Sequence, residues 1–406
     1  MRSCSGRGSA GGANAAAEAE GLLFNVKGGG FLQPVSLLVK PASGACNLRC
    51  RYCFYSDEMK RRETPCYAMM SPETLENMLR RTFCEPAPAV SIAFQGGEPM
   101  LAGLEFYRTA VRLIERYRMH GTPVQLAVQT NGTLIDDEWA AFFAENHFLI
   151  GISLDGTRQT HDLYRTGPEG GGTFQTVMRA IRILREHRVE CNILTVVTAQ
   201  AARRAEEIYR FYAHHGLRYQ QYIPCLDPLG EARGQHVYSL TPEDFEKFLK
   251  EQFACWYQDI MHGRFVYNRY FDNLVGMLLR RPPESCGMMG ECGRQLVVEA
   301  DGSVYPCDFY VLDRYRLGSL NVNSLKEVEQ KRDALGFVDA SRKVEKECLT
   351  CRWYPLCRGG CRRDRERPDG TLGLNCYCKA YRGFFEYAIS GLEQVARLAQ
   401  TGGFGS

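Results

Sequence analysis

Between Val35 and Pro224 six short β-branched or aromatic runs alternate with longer amphipathic stretches, a rhythm that few folds accept. The runs are 35–40, 90–95, 124–129, 148–154, 190–197 and 219–223. The stretches between them open as helices do. Ser71-Pro72-Glu73 and Asp136-Asp137-Glu138 are start signals, and Thr173 to His187 carries apolar residues at helical spacing. Such alternation implies a parallel sheet, open or closed into a barrel, with functional residues on loops at the carboxyl ends of the strands.

The texture changes further on. Thr241-Pro242-Glu243-Asp244 caps a predicted helix reaching about His262, and a second helical stretch covers 267–281. After Pro282-Pro283 cysteines become dense, and 296–299, Asp301-Gly302 and 304–305 read as a hairpin with an Asp-Gly turn. Residues 384–398 look like a closing helix. The expected division is a flexible N-terminal segment (1–31), the strand–helix unit (32–235), a helical linker (236–284), a cysteine-rich domain (285–385) and a C-terminal helix with a flexible tail (386–406).

Of the 406 residues 45% are hydrophobic, enough to bury real cores, so disorder of the whole chain is excluded. Lys+Arg 50 against Asp+Glu 47 leaves a formal charge of +3, too even for a dedicated nucleic-acid binder. The Gly-, Ala- and Ser-rich start has no apolar core of a signal peptide, and no later stretch approaches the roughly 18 apolar residues that cross a bilayer. The expected address is the cytoplasm, without membrane or nucleic-acid partners. In a reducing compartment clustered thiols are metal ligands or redox groups before they are disulfides, which gives the 18 cysteines their interest.

Directly after the first run stands Cys46-Asn47-Leu48-Arg49-Cys50-Arg51-Tyr52-Cys53, a C-x3-C-x2-C loop. Zinc ordinarily takes four ligands and no fourth Cys or His sits nearby, whereas a four-iron cubane with three thiolates keeps one iron open. The loop resembles the signature of radical S-adenosylmethionine (SAM) enzymes. Gln95-Gly96-Gly97-Glu98-Pro99 resembles that family's GGEP segment, Ile152-Ser153-Leu154-Asp155-Gly156 ends the fourth run, and Arg165 follows. The resemblance implies a partial (β/α)6 TIM-type barrel and a [4Fe-4S] cluster on Cys46, Cys50 and Cys53. It also implies that Gly97 meets the methionine amino group of SAM, that Ser153 and Arg165 hold its ribose and carboxylate, and that Tyr52 and Leu226 line the adenine pocket. Taken singly, Arg165 and His161 read as surface residues and Ser153 as a helix cap.

The later cysteines, Cys286, Cys292, Cys307, Cys348, Cys351, Cys357, Cys361, Cys376 and Cys378, are too many for one site. Alone, Cys348 to Cys361 would suit zinc or iron–sulfur. The whole run resembles the SPASM extension of radical SAM enzymes. That implies two auxiliary [4Fe-4S] clusters, one on Cys286, Cys292, Cys307 and Cys361, the other on Cys348, Cys351, Cys357 and a terminal thiol. Of Cys376 and Cys378, Cys378 is chosen, because Lys379-Ala380-Tyr381 looks like the family's tail. The scattered cysteines, at 4, 66, 84, 191, 225 and 255, read mostly as small buried apolar residues.

If 304–311 is extended, a cluster-facing Cys307 sends Asp308 to the opposite side, into the cavity, where burial would raise its pKa toward that of a useful base. The PCDFYV segment closely resembles that of anaerobic sulfatase-maturating enzymes, a likeness running from about residue 32 to 390. It implies oxidation of a cysteine or serine in a C/S-x-P/A-x-R segment of an unfolded or nascent sulfatase to Cα-formylglycine, with Asp308 as proton acceptor. Three clusters and SAM would be the cofactors, and a flavodoxin or ferredoxin the electron donor. Gln95 and Tyr55 are weaker candidates for substrate contact, and the arginines at 358, 362, 363, 365 and 367 are a solvated face or steer a redox partner. One alternative is a SPASM peptide maturase, disfavoured because the first strand near residue 35 leaves no room for a leader-binding domain. Another is a zinc scaffold without chemistry.

Overall fold

A computed structural model describes residues 33–119 and 121–401. The N-terminal segment with Cys4, and all of the tail beyond Thr401, lie outside the described residues.

Six parallel strands, β1 (Val35–Val39), β2 (Val90–Phe94), β3 (Val124–Thr130), β4 (Leu149–Ser153), β5 (Cys191–Val197) and β6 (Tyr219–Pro224), stand side by side in chain order. Helices cross between them where the start signals stood. Ser71 Oγ accepts from the Thr74 amide at 3.1 Å and Pro72 takes the first turn of Pro72–Thr82. Asp136 accepts from the Trp139 amide at 3.0 Å ahead of Asp137–Glu145, and Thr241 from the Asp244 amide at 3.0 Å ahead of Pro242–Met261. Thr173 breaks the pattern: its hydroxyl does not cap Phe174–Glu186 but bonds the Arg165 carbonyl at 3.0 Å.

Period-two alternation divides each strand between two faces. Leu37, Val39, Ile92, Phe94, Val128, Ile150, Ile152 and Ile193 are buried in one apolar core beneath the helices. Their neighbours Leu38, Lys40, Gln95, Gln129, Ser153 and Asp155 fall on the opposite, inner face.

Three expectations are corrected. The stretch 267–281 is not one helix: Tyr267–Asn268 forms β7 parallel to β6, and Asn268 then caps Arg269–Leu278. The closing helix starts earlier, running Cys378–Gln400. The hairpin of β8 (Leu296–Val298) and β9 (Ser303–Tyr305) forms as expected, with β10 (Gly318–Ser319) beside it, but it is not separate from the first sheet. Strand β8 pairs in parallel with β1, Leu37 opposite Leu296 and Val39 opposite Val298, giving one ten-stranded sheet in the order β10-β9-β8-β1-β2-β3-β4-β5-β6-β7. Leu38 packs with Val297, Tyr305 and Val311 across that seam. Two hydrophobic strands that each had an open edge have covered one another.

Candidate active site

The loop after β1 carries Cys46, Cys50 and Cys53, and the loop after β2 is drawn tightly against it. The amides of Gly97 and Glu98 donate to the carbonyls of Ser43 (2.8 Å) and Ala45 (2.7 Å). A Cβ at Gly97 would run into the Ala45 carbonyl, so only glycine lets the two loops meet. Beside them, at the top of β3, Asn131 Nδ2 donates to Asn47 Oδ1 at 2.8 Å and faces Cys46 Sγ at 3.8 Å. The fully buried Glu98 holds this end together, accepting from Thr130 Oγ1 (2.7 Å), the Asn131 amide (2.8 Å) and the Met100 amide (3.1 Å); burial pushes its carboxyl up to about 7.

The three thiols are neighbours. Loss of solvent raises Cys46, and lifts Cys50 to about 12 against the nearby Arg165 guanidinium, with repulsion from the other thiols adding to both shifts. Only the thiolate is a ligand, so a cationic centre bound here would displace these protons and relieve the repulsion among the three sulfurs. Among the described residues no three His, Cys, Asp or Glu groups are drawn into the tight shell of a single ion. The all-thiol donor sets, three here and four plus four below, fit the wider iron–sulfur clusters.

After β4, Asp155 is a hub that the sequence reading passed over as part of a motif. Its carboxylate takes Arg165 Nε at 2.9 Å, the Val196 amide at 2.9 Å and the Tyr52 hydroxyl. Arg165 and His161 are buried, not surface residues. Burial lowers His161 to about 4, so it is neutral, accepting the Asp155 amide at 3.3 Å through Nδ1 while Nε2 faces Thr173 Oγ1 at 3.0 Å. This chain explains why Thr173 does not cap its helix. Ser153 is no helix cap either; its Oγ accepts from Gln129 Nε2 at 3.3 Å on the inner face. The Tyr52 ring packs edge-on against Tyr164 and Tyr238, and Leu226 lies half-buried one residue past Cys225, which belongs to the same apolar cluster.

Asp308 stands at the seam between β1 and the hairpin. The extended run holds through β9 and again at Cys307; Asp308–Tyr310 is a single 3-10 turn, so the expected alternation stops there, yet the two side chains still part company. Cys307 joins the cysteines. Asp308 Oδ2 accepts from Tyr55 Oη (2.5 Å) and Gln95 Nε2 (3.1 Å), and Oδ1 lies 3.7 Å from Lys40 Nζ. The two weak candidates thus flank the strong one. Behind them is an ion network unseen in the sequence: Lys40 Nζ is also 3.6 Å from Glu299 and 3.9 Å from Glu58, and Arg62 donates to Glu299 at 2.5 Å. Alternation past β1 was the signal that could have found Lys40. Desolvation raises Asp308 despite the Lys40 charge and the Tyr55 hydrogen bond. The same loss of solvent would lower Lys40, but Glu299, Asp308 and Glu58 outweigh it and leave the ammonium held.

The later cysteines sort into two sets. The environment of Cys307 is dominated, after desolvation, by Cys361, Cys292 and Cys286, and that of Cys357 includes Cys378, Cys348 and Cys351. Cys376 sits apart, beside Asp364 and Arg233, and donates its amide to the Asp364 carbonyl at 2.9 Å. Of the scattered cysteines among the described residues only Cys225 is buried, Cys191 and Cys255 are partly so, and Cys66 and Cys84 are exposed, which corrects the expectation of burial for most of them.

Comparison with known proteins bears on this geometry. Residues 41–212 match the radical SAM superfamily and 286–352 an iron–sulfur cluster-binding domain. The cysteine-type anaerobic sulfatase-maturating enzyme of Clostridium novyi is 45% identical, covering 90% of this chain and 98% of its own. The serine-type anaerobic sulfatase-maturating enzyme of Bacteroides thetaiotaomicron is 31% identical, covering 88% and 90%. The solved structure of native anSMEcpe with bound AdoMet and Cp18Cys peptide superposes with a TM-score of 0.86 at 46% identity, covering 90% of this chain and 99% of that one. Streptococcus suis SuiB bound to S-adenosylmethionine, at 16% identity, TM-score 0.58 and coverages of 85% and 78%, shares the fold.

Proposed function

The chain belongs to the anaerobic sulfatase-maturating enzymes of the radical SAM superfamily, and from that premise we propose how its residues divide the work. It is a radical SAM enzyme that oxidises a cysteine or serine of a sulfatase to Cα-formylglycine, with SAM and three [4Fe-4S] clusters as cofactors. Cys46, Cys50 and Cys53 would hold the SAM-binding cluster. Cys286, Cys292, Cys307 and Cys361 would hold one auxiliary cluster, and Cys348, Cys351, Cys357 and Cys378 the other, within a cysteine-rich unit 285–385 that follows the barrel unit 32–235 and the linker 236–284. When bound, SAM and its cluster supply the 5′-deoxyadenosyl radical that takes a hydrogen atom from the substrate Cβ.

Around that event the chain's own groups bind and move a proton. Gly97 leaves room at the loop junction for the amino group of SAM. Ser153, Tyr52 and Leu226 line its ribose and adenine. Asp155 fixes Arg165 by its Nε edge, which orients the rest of the guanidinium toward the carboxylate. Asp308 accepts the thiol proton through Oδ2, the oxygen to which Tyr55 and Gln95 point, while Lys40 on Oδ1 holds the carboxylate still. The observation that carries this reading is a carboxylate raised by burial, opening on the inner face between the SAM loops and the Cys307 thiol set.

The peptide would be an extended C-x-P/A-x-R segment of an unfolded or nascent sulfatase in the cytoplasm. Cysteine is proposed over serine because the cysteine-type relative is the more similar, 45% against 31%. Anaerobic incubation of reconstituted protein with SAM, reductant and paired Cys and Ser peptides tests this by mass spectrometry. Aldehyde on the Cys peptide with matching deoxyadenosine is expected; deoxyadenosine with both peptides intact would overturn the substrate. Asp308→Asn should keep deoxyadenosine formation and lose aldehyde by at least about a hundredfold, the usual worth of a general base. Full oxidation by that variant removes Asp308 from its role.

A further inference from the structure

A second feature of the molecule lies away from Asp308. Between the end of the helix Arg269–Leu278, the turn after it, the segment 352–358 and the helix Cys378–Gln400 runs an open groove of about 940 Å³. Its floor is apolar, including buried Trp353 and Leu356, and its rim carries arginines 280, 281, 352 and 358 against a single carboxylate, Glu393. Arg280 and Arg352 are exposed. The Arg352 guanidinium lies over the Trp353 ring, 4.4 Å from its centroid. Arg358 takes a left-handed conformation (φ 49°) at the end of the turn Tyr354–Cys357, where its Nε donates to the Pro355 carbonyl at 3.2 Å.

The chain ties this rim to the second thiol set. Arg352 follows Cys351 and Arg358 follows Cys357 in the chain, and both line the groove. The cysteines of this set, Cys348, Cys351, Cys357 and Cys378, are only partly buried. An apolar floor inside a cationic rim is complementary to a protein face that is acidic around an apolar centre.

The reaction proposed above, on which this inference rests, gives such a partner an electron to carry. Taking a cysteine side chain to the thioaldehyde removes one hydrogen atom, one proton and one further electron. The hydrogen atom goes to deoxyadenosine and the proton to Asp308; water then converts thioaldehyde to aldehyde and hydrogen sulfide without further redox change. Cleavage of SAM takes up one electron at the start of each turnover, so the electron released from the substrate either returns there or leaves on a one-electron carrier.

We propose that the arginine-rimmed groove formed by Arg280, Arg352 and Arg358 is the docking surface for a small acidic one-electron carrier protein, which in its oxidised form receives that electron. The field of the rim would steer the carrier and hold it in register beside Cys351 and Cys357, with affinity that falls as salt screens the charges.

The test uses reconstituted holoprotein and, as probe, an oxidised acidic [2Fe-2S] ferredoxin, with binding followed by calorimetry. Arg280→Glu combined with Arg352→Glu should weaken binding at least tenfold at about 20 mM salt, and the difference should vanish near about 500 mM. The neutralising pair Arg280→Gln and Arg352→Gln should lie between wild type and the reversal, which guards against loss through misfolding. Lys326→Glu, exposed on a different helix, should bind as wild type. Peptide oxidation driven by dithionite should be unchanged in the double variants. Equal binding by wild type and the charge reversal, or equal loss in Lys326→Glu, would overturn the docking surface. Salt-sensitive, rim-dependent binding by a protein that leaves the sulfatase peptide intact would keep the dock and discard the reaction instead.

Discussion

Around Lys40 three carboxylates, Glu58, Glu299 and Asp308, face two cations, Lys40 and Arg62, in space almost closed to water. One proton must sit on an acid for the charges to balance. Lys40 and Arg62 hold Glu299 below its usual range despite desolvation, whereas burial, only partly offset by Lys40, pushes Glu58 from 4.5 up to about 8. The spare proton therefore rests on Glu58. Between those two pH values the folded chain binds more protons than the unfolded chain, so Glu58 makes stability fall as pH rises, by up to about 1.4 kcal/mol per unit. Glu98, raised to about 7, acts in the same direction but stops earlier. Glu58→Gln should thus flatten the decline in denaturation midpoint between pH 7 and 8; an unchanged slope there would mean that Glu58 is already ionised. Lys40→Met leaves the acids without their shared cation and should cost about 3–5 kcal/mol in anaerobic chemical denaturation, the range for a broken buried pair. It should also raise the ratio of deoxyadenosine to formylglycine, which a loss of folded protein alone would not do.

Strands and loops show how the site is assembled from patterns with different periods. Alternation along β1, β2 and β4 delivers Lys40, Gln95, Ser153 and Asp155 to the inner face while their neighbours build the core. That much is readable from sequence, because a slip of one residue would bury the polar set and expose the apolar one. The junction of the first two loops depends on backbone approach. Gly97→Ala forces the loops apart at the Ala45 carbonyl, so the variant should fold, since the change is confined to a loop, yet fail to bind SAM and show a disturbed cluster by absorbance and electron paramagnetic resonance. Normal SAM affinity in that variant would count against the role of this close contact. Thr173 teaches the complementary point: its sequence position suggests a cap, but a buried neutral histidine and the Arg165 carbonyl compete for its hydroxyl and win.

Across the whole molecule the deciding contact is β1 against β8. Because that seam joins residues 35–39 to 296–298, the cysteine-rich region completes the barrel's sheet and brings Asp308, with its neighbour Cys307, and Glu299 to Lys40 and Tyr55. A fragment ending at residue 284 uncovers the β1 edge and strips Lys40 and Arg62 of Glu299. It should be insoluble or molten by near-ultraviolet circular dichroism; a cooperative, monomeric fragment would show that the seam is dispensable. Sequence alone determined the six strands, the helix starts, the three thiol sets and Asp308, since each follows from local periodicity, capping chemistry or motif resemblance over short spans. It did not disclose the Asp155 hub, the Lys40 network or the shared sheet. Those join residues such as 40, 62, 299 and 308, which are far apart in the chain, and only burial in the tertiary structure makes a charge at one position depend on the charge at another.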